Sequence, residues 1–446
     1  MSKIPHKIGL WSCVAFAVGS MVGAGVFVLS GVAVQKAGPA AIASFVLAGL
    51  AILCSALSFT VVAPLAQQGE LGYAPVGRLL GHRFWGFMTS WAFYLSAVIC
   101  TAFVLNAFGA YLHDFFLPGL SPLTWSVIAA VGITLANLGN AANIGRIEDI
   151  LVIVKVAVLI LLIGFGLAHT GTHTFTPFMP HGDLSLLATS GLLFIAYLGF
   201  SVVANVSGDV KNAQRTVPLA ITISVLGVLV LYIGVVIALL AFPQSHYDEA
   251  SVGAVAEQLM GPVGGILIPI AALVSTLSAA NSNILGSSEI MVRLAARKDV
   301  PTFAGRLWRG HPVVSVLFGA VVYIGLLASR QTNTVIALAN VAAIVALLLV
   351  DVAAIRALSR GQSKTRIPGG RWILGVGFAS ALGELCILGA WPVVMGLGLV
   401  AAGTALYLGR EVFHDPVAHR QLVSELAKYG GPVLRTLRKI EGRLNV

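Results

Sequence analysis

The segment Val18-Gly19-Ser20-Met21-Val22-Gly23-Ala24-Gly25-Val26-Phe27 sets three glycines within seven residues of an otherwise apolar run. Each glycine costs a helix about 1 kcal/mol relative to alanine. Two readings are open. Either the glycines let neighbouring helices approach closely, as small-residue motifs do, or the helix unwinds here. Unwound backbone at membrane depth is tolerated only where it is buried in protein or lines a cavity. Its freed N–H groups, at the positive end of a half-helix, then form a site for a carboxylate. A second interruption, Phe194-Ile195-Ala196-Tyr197-Leu198-Gly199-Phe200-Ser201, is centred on Gly199 and runs into Asn205, Ser207, Asp209 and the turn 211–218. Matching interruptions in two halves of a chain point to a solute site near the membrane midplane, and they favour the unwound reading.

Lys155 stands in an apolar run, about nine residues or roughly 13 Å of helix beyond Arg146. A charge inside a membrane is costly and usually marks function. It acts as a fixed cation, carries a proton that burial makes labile, or snorkels its long stem to the interface. Glu384 lies mid-run and reads as a packing or lipid-interface residue, while Asp351 and Glu289 lie near helix ends. Asp209, Glu148, Asp149 and Glu70 also lie near helix ends, where Arg146, Lys211 or Arg215 would pair with them. His169 and His173 are four apart, with His181 nearby, but no carboxylate or cysteine partner completes a metal set. Cys13, Cys54, Cys100 and Cys386 show no metal-ligand spacing and read as small core residues. No zinc-protease helix, P-loop or nucleophile elbow occurs. The expectation is a non-enzyme with no cofactor and no metal.

The elements that must hold these residues are membrane helices. Of 446 residues, 58% are hydrophobic and 10% charged, where a soluble domain carries roughly 25% charged. Mean hydropathy is +0.94. Runs of about 20 apolar residues suit bilayer-spanning helices, and the short alternating segments of a β-barrel are absent. Twelve candidate spans lie near 9–36, 38–66, 84–112, 121–139, 146–169, 186–209, 216–242, 262–296, 311–329, 333–357, 371–389 and 391–409. The first is too long for a cleaved leader and lacks a small-residue cleavage site before polar sequence. Apart from Lys155 within a span, only Lys36 and Arg330 among the 27 Lys and Arg fall on the far side of this layout. The positive-inside rule then makes the rich side, and both termini, cytoplasmic. The net charge of +10 therefore faces anionic lipid, not nucleic acid. Residues 411–446 space Leu422, Leu426, Leu434 and Leu437 among Arg435, Arg438 and Lys439. This pattern suits a cytoplasmic amphipathic tail on the inner membrane surface, with a solvated tail as the plainer reading.

With these residues in place, the chain resembles the amino acid–polyamine–organocation (APC) superfamily. The resemblance rests on Gly19–Phe27, on Phe194–Phe200 with the following turn, on Asn137–Leu159 including Lys155, on Ile268–Pro301 with Ser275-Thr276-Leu277-Ser278, and on Gly69–Gly81. It covers most of residues 7–410 and implies an all-α polytopic LeuT-type fold. That fold is a five-plus-five inverted repeat with broken spans 1 and 6 and two peripheral spans. Residues 1–170 would form the first repeat, 186–358 the inverted second, and 371–409 spans 11 and 12.

The resemblance further implies amino-acid transport by alternating access. Met21, Val22, Gly23, Ala24 and Gly25 would offer backbone to the substrate carboxylate. Phe194, Ile195, Tyr197, Leu198, Gly199 and Phe200 would supply carbonyls for the amine, side-chain contacts and a gate. Ser275, Ser278, Trp91 and Tyr94 would close the pocket, and Lys155 would stand where sodium-coupled relatives hold their cation. The partners expected are an amino-acid substrate, the lipid bilayer of the plasma (inner) membrane, and a coupled proton or exchanged amino acid.

The side chains at both interruptions are uncharged, and Ile195, Leu198 and Phe200 are apolar. A neutral or hydrophobic amino acid, carried without sodium, fits better than a cationic amino acid or polyamine, which would lack a buried counter-charge. A non-transporting receptor or channel is the competing class, but no filter-like repeat of charges or carbonyls supports it. A six-plus-six major-facilitator layout accounts less well for breaks in spans 1 and 6.

Overall fold

The computed structural model describes residues 8–414 except 24, 68–69, 139–143, 172–173, 206–209, 245, 309–310, 364, 366 and 368. For 144–151, 204–205 and 410–414 it describes the backbone alone. The expected tail from 415 onward, Ala24, Asp209 and His173 lie outside the described residues.

Helix dominates, and the described residues form no strand, only the isolated bridges Ile8–Val210 and Trp308–His311. The helices are α1 (Leu10–Met21), α2 (Ser30–Ala37), α3 (Ala41–Val62), α4 (Val76–Leu80), α5 (Arg83–Phe115), α6 (Pro122–Leu138), α7 (Ile144–Ala168) and α8 (Asp183–Leu193). They continue as α9 (Ser201–Asn205), α10 (Ala213–Ala241), α11 (Ser251–Met260), α12 (Pro262–Ala296), α13 (Val313–Ala328), α14 (Thr332–Ser359), α15 (Arg371–Ile387) and α16 (Ala390–His414). Among the described residues, seven helical stretches are long and apolar enough to cross a membrane. They are Gly25–Leu65, Arg83–Phe115, Asp183–Val203, Ala213–Ala241, Pro262–Ala296, Thr332–Ser359 and Ala390–Gly409. Leu10–Met21, Pro122–Leu138, Val152–Ala168 and Val313–Ala328 are shorter apolar helices.

Local chemistry sets the ends. Gly81, in the left-handed region at φ 83°, closes α4, a conformation that a Cβ would penalise. The His82 ring then accepts from the Phe84 amide to start α5. Gly261 (φ 68°) leads into Pro262 at the first position of α12, where a missing N–H costs nothing. Between the expected spans 216–242 and 262–296 the chain forms a further helix, α11. Val252, Val255, Ala256 and Leu259 are buried there, at the three-and-four spacing of one helix face.

α5 packs along both α12 and α14, and α10 packs on α1, α3 and α7. Burial separates centre from edge: 78% of the apolar window of α14 is buried, against 22% for α16. α14 and α5, the latter 72% buried over its apolar window, therefore lie nearest the middle, and α16 lies outside them, packed against both.

Candidate functional site

The first glycine-rich run is broken. α1 ends at Met21, Val22 and Gly23 follow as bends, and Gly25–Leu29 resumes as a turn of π-helix that feeds α2. A helix end leaves its last carbonyls without intrahelical donors. Here three helices supply them. Lys155 Nζ on α7 donates to Gly19 O at 2.9 Å. Tyr232 Oη on α10 lies 2.8 Å from Met21 O and 3.0 Å from Ala196 O, so one hydroxyl spans both interrupted segments. Ser275 Oγ on α12 donates to Val22 O at 2.9 Å. The Lys155 ammonium sits at the negative end of the α1 dipole, where a cation is favoured. Lys155 is only 3% exposed, so its charge ends on the break and not at a membrane interface. Gly19 lets α7 come this close: a Cβ there would stand 2.5 Å from Val152 Cγ2.

The second interruption differs from expectation, because it tightens instead of unwinding. Phe194–Phe200 is a seven-residue 3-10 helix joining α8 to α9. At three residues per turn, positions i and i+3 eclipse, so the segment presents three rows. Phe194, Tyr197 and Phe200 form one row, fully buried in protein. Phe200 meets the Phe59 ring edge-on, and Tyr197 Oη donates to Phe45 O at 3.0 Å. The other two rows, Ile195/Leu198/Ser201 and Ala196/Gly199/Val202, both line a cavity. Gly199 is the point where the two segments touch. A Cβ there would lie 2.6 Å from Met21 N and 2.7 Å from the Ser20 carbonyl carbon.

The cavity has a volume of about 190 Å³, below the ~300–1,000 Å³ of pockets for drug-sized ligands. Span 1 contributes Ser20, Met21, Gly23 and Gly25; α5 contributes Phe93, Ser96 and Cys100; α12 contributes Ser282, Asn283 and Glu289. Glu289 is the one carboxylate among the described lining residues, and Arg293 already pairs with it. The cavity extends toward Leu71, Tyr73 and Ile290. That end of the bundle also carries Arg83 and Arg297 on Asp299, at 2.7 and 3.2 Å, and Arg78 on Glu70 at 2.7 Å. The opposite end is packed shut. Tyr111 Oη donates to Phe27 O at 2.7 Å, and a Cβ on Gly31 would lie 2.2 Å from Asp248 O.

A glycine-lined break, carbonyls capped from three helices and a small cavity open toward one end of the bundle fit a carrier of small solutes. The model of a family described as "Amino acid permease" matches residues 8–405. The chain belongs to the amino acid permease family. This places it in the APC superfamily, as an amino-acid transporter and not an enzyme. The permease is 29% identical to the inner membrane transport protein YbaT of Escherichia coli, over 73% of this chain and 80% of that one. It is 26% identical to the branched-chain amino acid permease BcaP of Bacillus subtilis, over 91% and 93%. It is also 26% identical to the serine/threonine exchanger SteT of the same organism, over 69% and 72%.

Of the residues singled out from the permease sequence, the cavity gathers Met21, Gly23, Gly25, Ile195, Leu198 and Gly199. Val22 and Ser275 meet each other behind it. Phe194, Tyr197 and Phe200 turn away into the core, and Ser278 is half-buried on α12. Trp91 stacks on Phe87 and Tyr94 and donates to Leu399 O at 3.3 Å, on the α16 side of α5. Glu384 is not at a lipid interface: it is 6% exposed and packs inward. Glu70 pairs with Arg78, while the side chain of Arg146 lies outside the described residues. Cys13 is buried as expected, but Cys386 is exposed and Cys100 faces the cavity.

Several cavity residues were missed. Ser96 and Cys100 on α5, and Ala279, Ser282, Asn283 and Gly286 on α12, fall at three-and-four spacing, a periodicity legible in both runs. Tyr232 carries no such signal, because it sits in an unbroken apolar helix.

Proposed function

We propose that this amino-acid permease is a secondary active carrier of neutral or hydrophobic amino acids that works by alternating access without sodium. The reading rests on one observation above the others: Lys155 Nζ occupies the α1 carbonyl end at Gly19. A fixed ammonium there supplies the positive charge that a bound sodium ion would otherwise bring, and it repels a second cation. The backbone N–H groups that begin the Gly25–Leu29 turn are the natural seat for a carboxylate, with Ile195 and Leu198 against the side chain. The relatives named for branched-chain amino acids and for serine and threonine carry neutral substrates by name, which is consistent with a cavity whose one described carboxylate is already paired.

The same reading takes residues 1–170 and 186–358 as inverted five-span repeats within a twelve-span LeuT-type fold, and 371–409 as spans 11 and 12. It sets both termini in the cytoplasm. Leu71, Tyr73 and Glu289 then mark a cytoplasmic mouth, and the cavity belongs to an inward-facing conformer closed on the outside by Tyr111, Phe27, Gly31 and Asp248. The return half of the cycle is driven by an exchanged amino acid or a proton gradient.

Counterflow in proteoliposomes tests this reading. Leucine, alanine or methionine inside the vesicle should drive accumulation of labelled substrate, equally in sodium and in potassium buffer. Inhibition by arginine or putrescine with none by the neutral amino acids would overturn the substrate class. Sodium-stimulated uptake would overturn the role given to Lys155.

A further inference from the structure

Glu384 on α15 is buried in a part of the bundle that the cavity does not reach. Its Oε1 accepts from Ser190 Oγ of α8 at 2.8 Å, and its Oε2 makes no hydrogen bond among the described residues. The carboxyl is pressed against α8 at Gly191, where a Cβ would lie 3.1 Å from Oε2. The carbonyls of Gly191 and Leu192 are in turn held by Asn340 Nδ2 of α14, each at 3.0 Å. Two residues later the 3-10 segment begins and lines the cavity.

α15 packs on α3, α8 and α14. The titratable groups on these helices are Cys54, Asp183, Asp351 and Arg356, with Arg371 and Cys386 on α15 itself. No cation meets Glu384 among the described residues. Asp351 is held by Ser55 at 3.0 Å, beside the Gly377 carbonyl, two helical turns from Glu384. A buried carboxylate with a single hydrogen bond and no counter-charge costs several kcal/mol. Glu384 also stands less than one turn from the C-terminal end of α15, at Ile387. That end lies opposite the cavity mouth.

We infer that Glu384 is a proton-binding site that couples proton movement to the α8 end of the cavity wall. Protonation removes the charge and weakens the bond from Ser190, and ionisation strengthens it, because a hydrogen bond to a charged acceptor is roughly twice as strong. The proton thereby acts on α8 within a few residues of Ile195, while Lys155 keeps its charge. The inference rests on the transport reading above and adds the driving ion to it.

The test uses the full-length protein in liposomes that contain a pH-sensitive dye, with the membrane potential clamped. Wild type should acidify the lumen when a neutral amino acid is added, and an inward proton gradient should raise its uptake about fivefold or more. Glu384→Gln, which holds the neutral form, should still perform counterflow but lose both effects. Ser190→Ala leaves the carboxyl but removes its donor, which should move the pH midpoint of uptake upward by about half a unit. Wild-type counterflow without proton movement, proton flux in Glu384→Gln equal to wild type, or an unmoved midpoint in Ser190→Ala would each overturn the inference and leave the transport reading standing. Absence of wild-type counterflow would overturn that reading instead.

Discussion

Lys155 Nζ donates to the carbonyl of Gly19 across 2.9 Å, so a side chain from α7 closes the broken end of α1. The carbonyl is one of those an α-helix end leaves unpaired, and its contact with the ammonium is partly buried. Replacing Lys155 with Ala strands it, at a cost of about 1–3 kcal/mol. Counterflow should fall by roughly tenfold or more, in sodium and potassium alike. A wild-type rate in Lys155→Ala would show that the contact does not matter to transport.

Tyr232→Phe removes the hydroxyl that stands between Met21 O and Ala196 O. A net loss of about 1 kcal/mol should slow counterflow about fivefold and lower the melting temperature in detergent. Tyr197→Phe is the comparison, because its hydroxyl meets Phe45 O on the side away from the cavity. That variant should lose stability and keep its apparent substrate affinity. Equal affinity losses in the two variants would deny Tyr232 its separate role.

Gly199→Ala forces a methyl onto the backbone of Ser20 and Met21. Backbone cannot swing aside as a side chain does, so transport should be lost in a protein that still reaches the membrane. Gly227→Ala, on α10 with open space around it, should behave as wild type. Active transport by Gly199→Ala would mean that the two interrupted segments do not need this close approach.

Cys100 offers a direct probe of the cavity. With Cys13, Cys54 and Cys386 replaced, a thiol reagent added from the cytoplasmic side should label Cys100, and saturating substrate should slow the reaction. Labelling that is faster from the outside, or indifferent to substrate, would contradict the inward-facing assignment.

The Glu70–Arg78 pair lies at the charged end of the bundle. The hydrogen bond from Arg78 holds the Glu70 carboxyl below its ordinary range. A depressed folded value stabilises the fold fully above the ordinary carboxylate pKa of about 4.3, and the contribution disappears as pH falls through the lowered value. The difference in melting temperature between wild type and Glu70→Gln should therefore be present at neutral pH and close on acidification. A difference that grows on acidification would reverse the sign argued here.

The first-span break was legible because three glycines in seven residues are too costly for an undisturbed helix. Its position at Val22 and Gly23, and the π turn after it, were not, since glycine marks permission and not geometry. In the second interruption the composition was the same for any helical pitch. An α pitch would have grouped Phe194, Ile195 and Leu198 on one face. The 3-10 pitch instead sends Phe194, Tyr197 and Phe200 into the core together. For Glu384 the sequence left packing and a lipid interface open, because a lone carboxyl in an apolar run has no sequence signal for which side of its helix is covered; the structure has it packed inward. Ser190, its partner, lies 194 residues away.

The 3-10 segment also has a mechanical meaning. Seven residues rising about 2.0 Å each, not 1.5 Å, make it roughly 3.5 Å longer than the same residues in α form. They are wound by about 140° more in total, at ~120° per residue against ~100°. A change of pitch alone, with no residue unwound, would shorten the strut between α8 and α9 and rotate its ends against each other. The three rows would then break up, with Phe194 turning to share a face with Ile195 and Leu198.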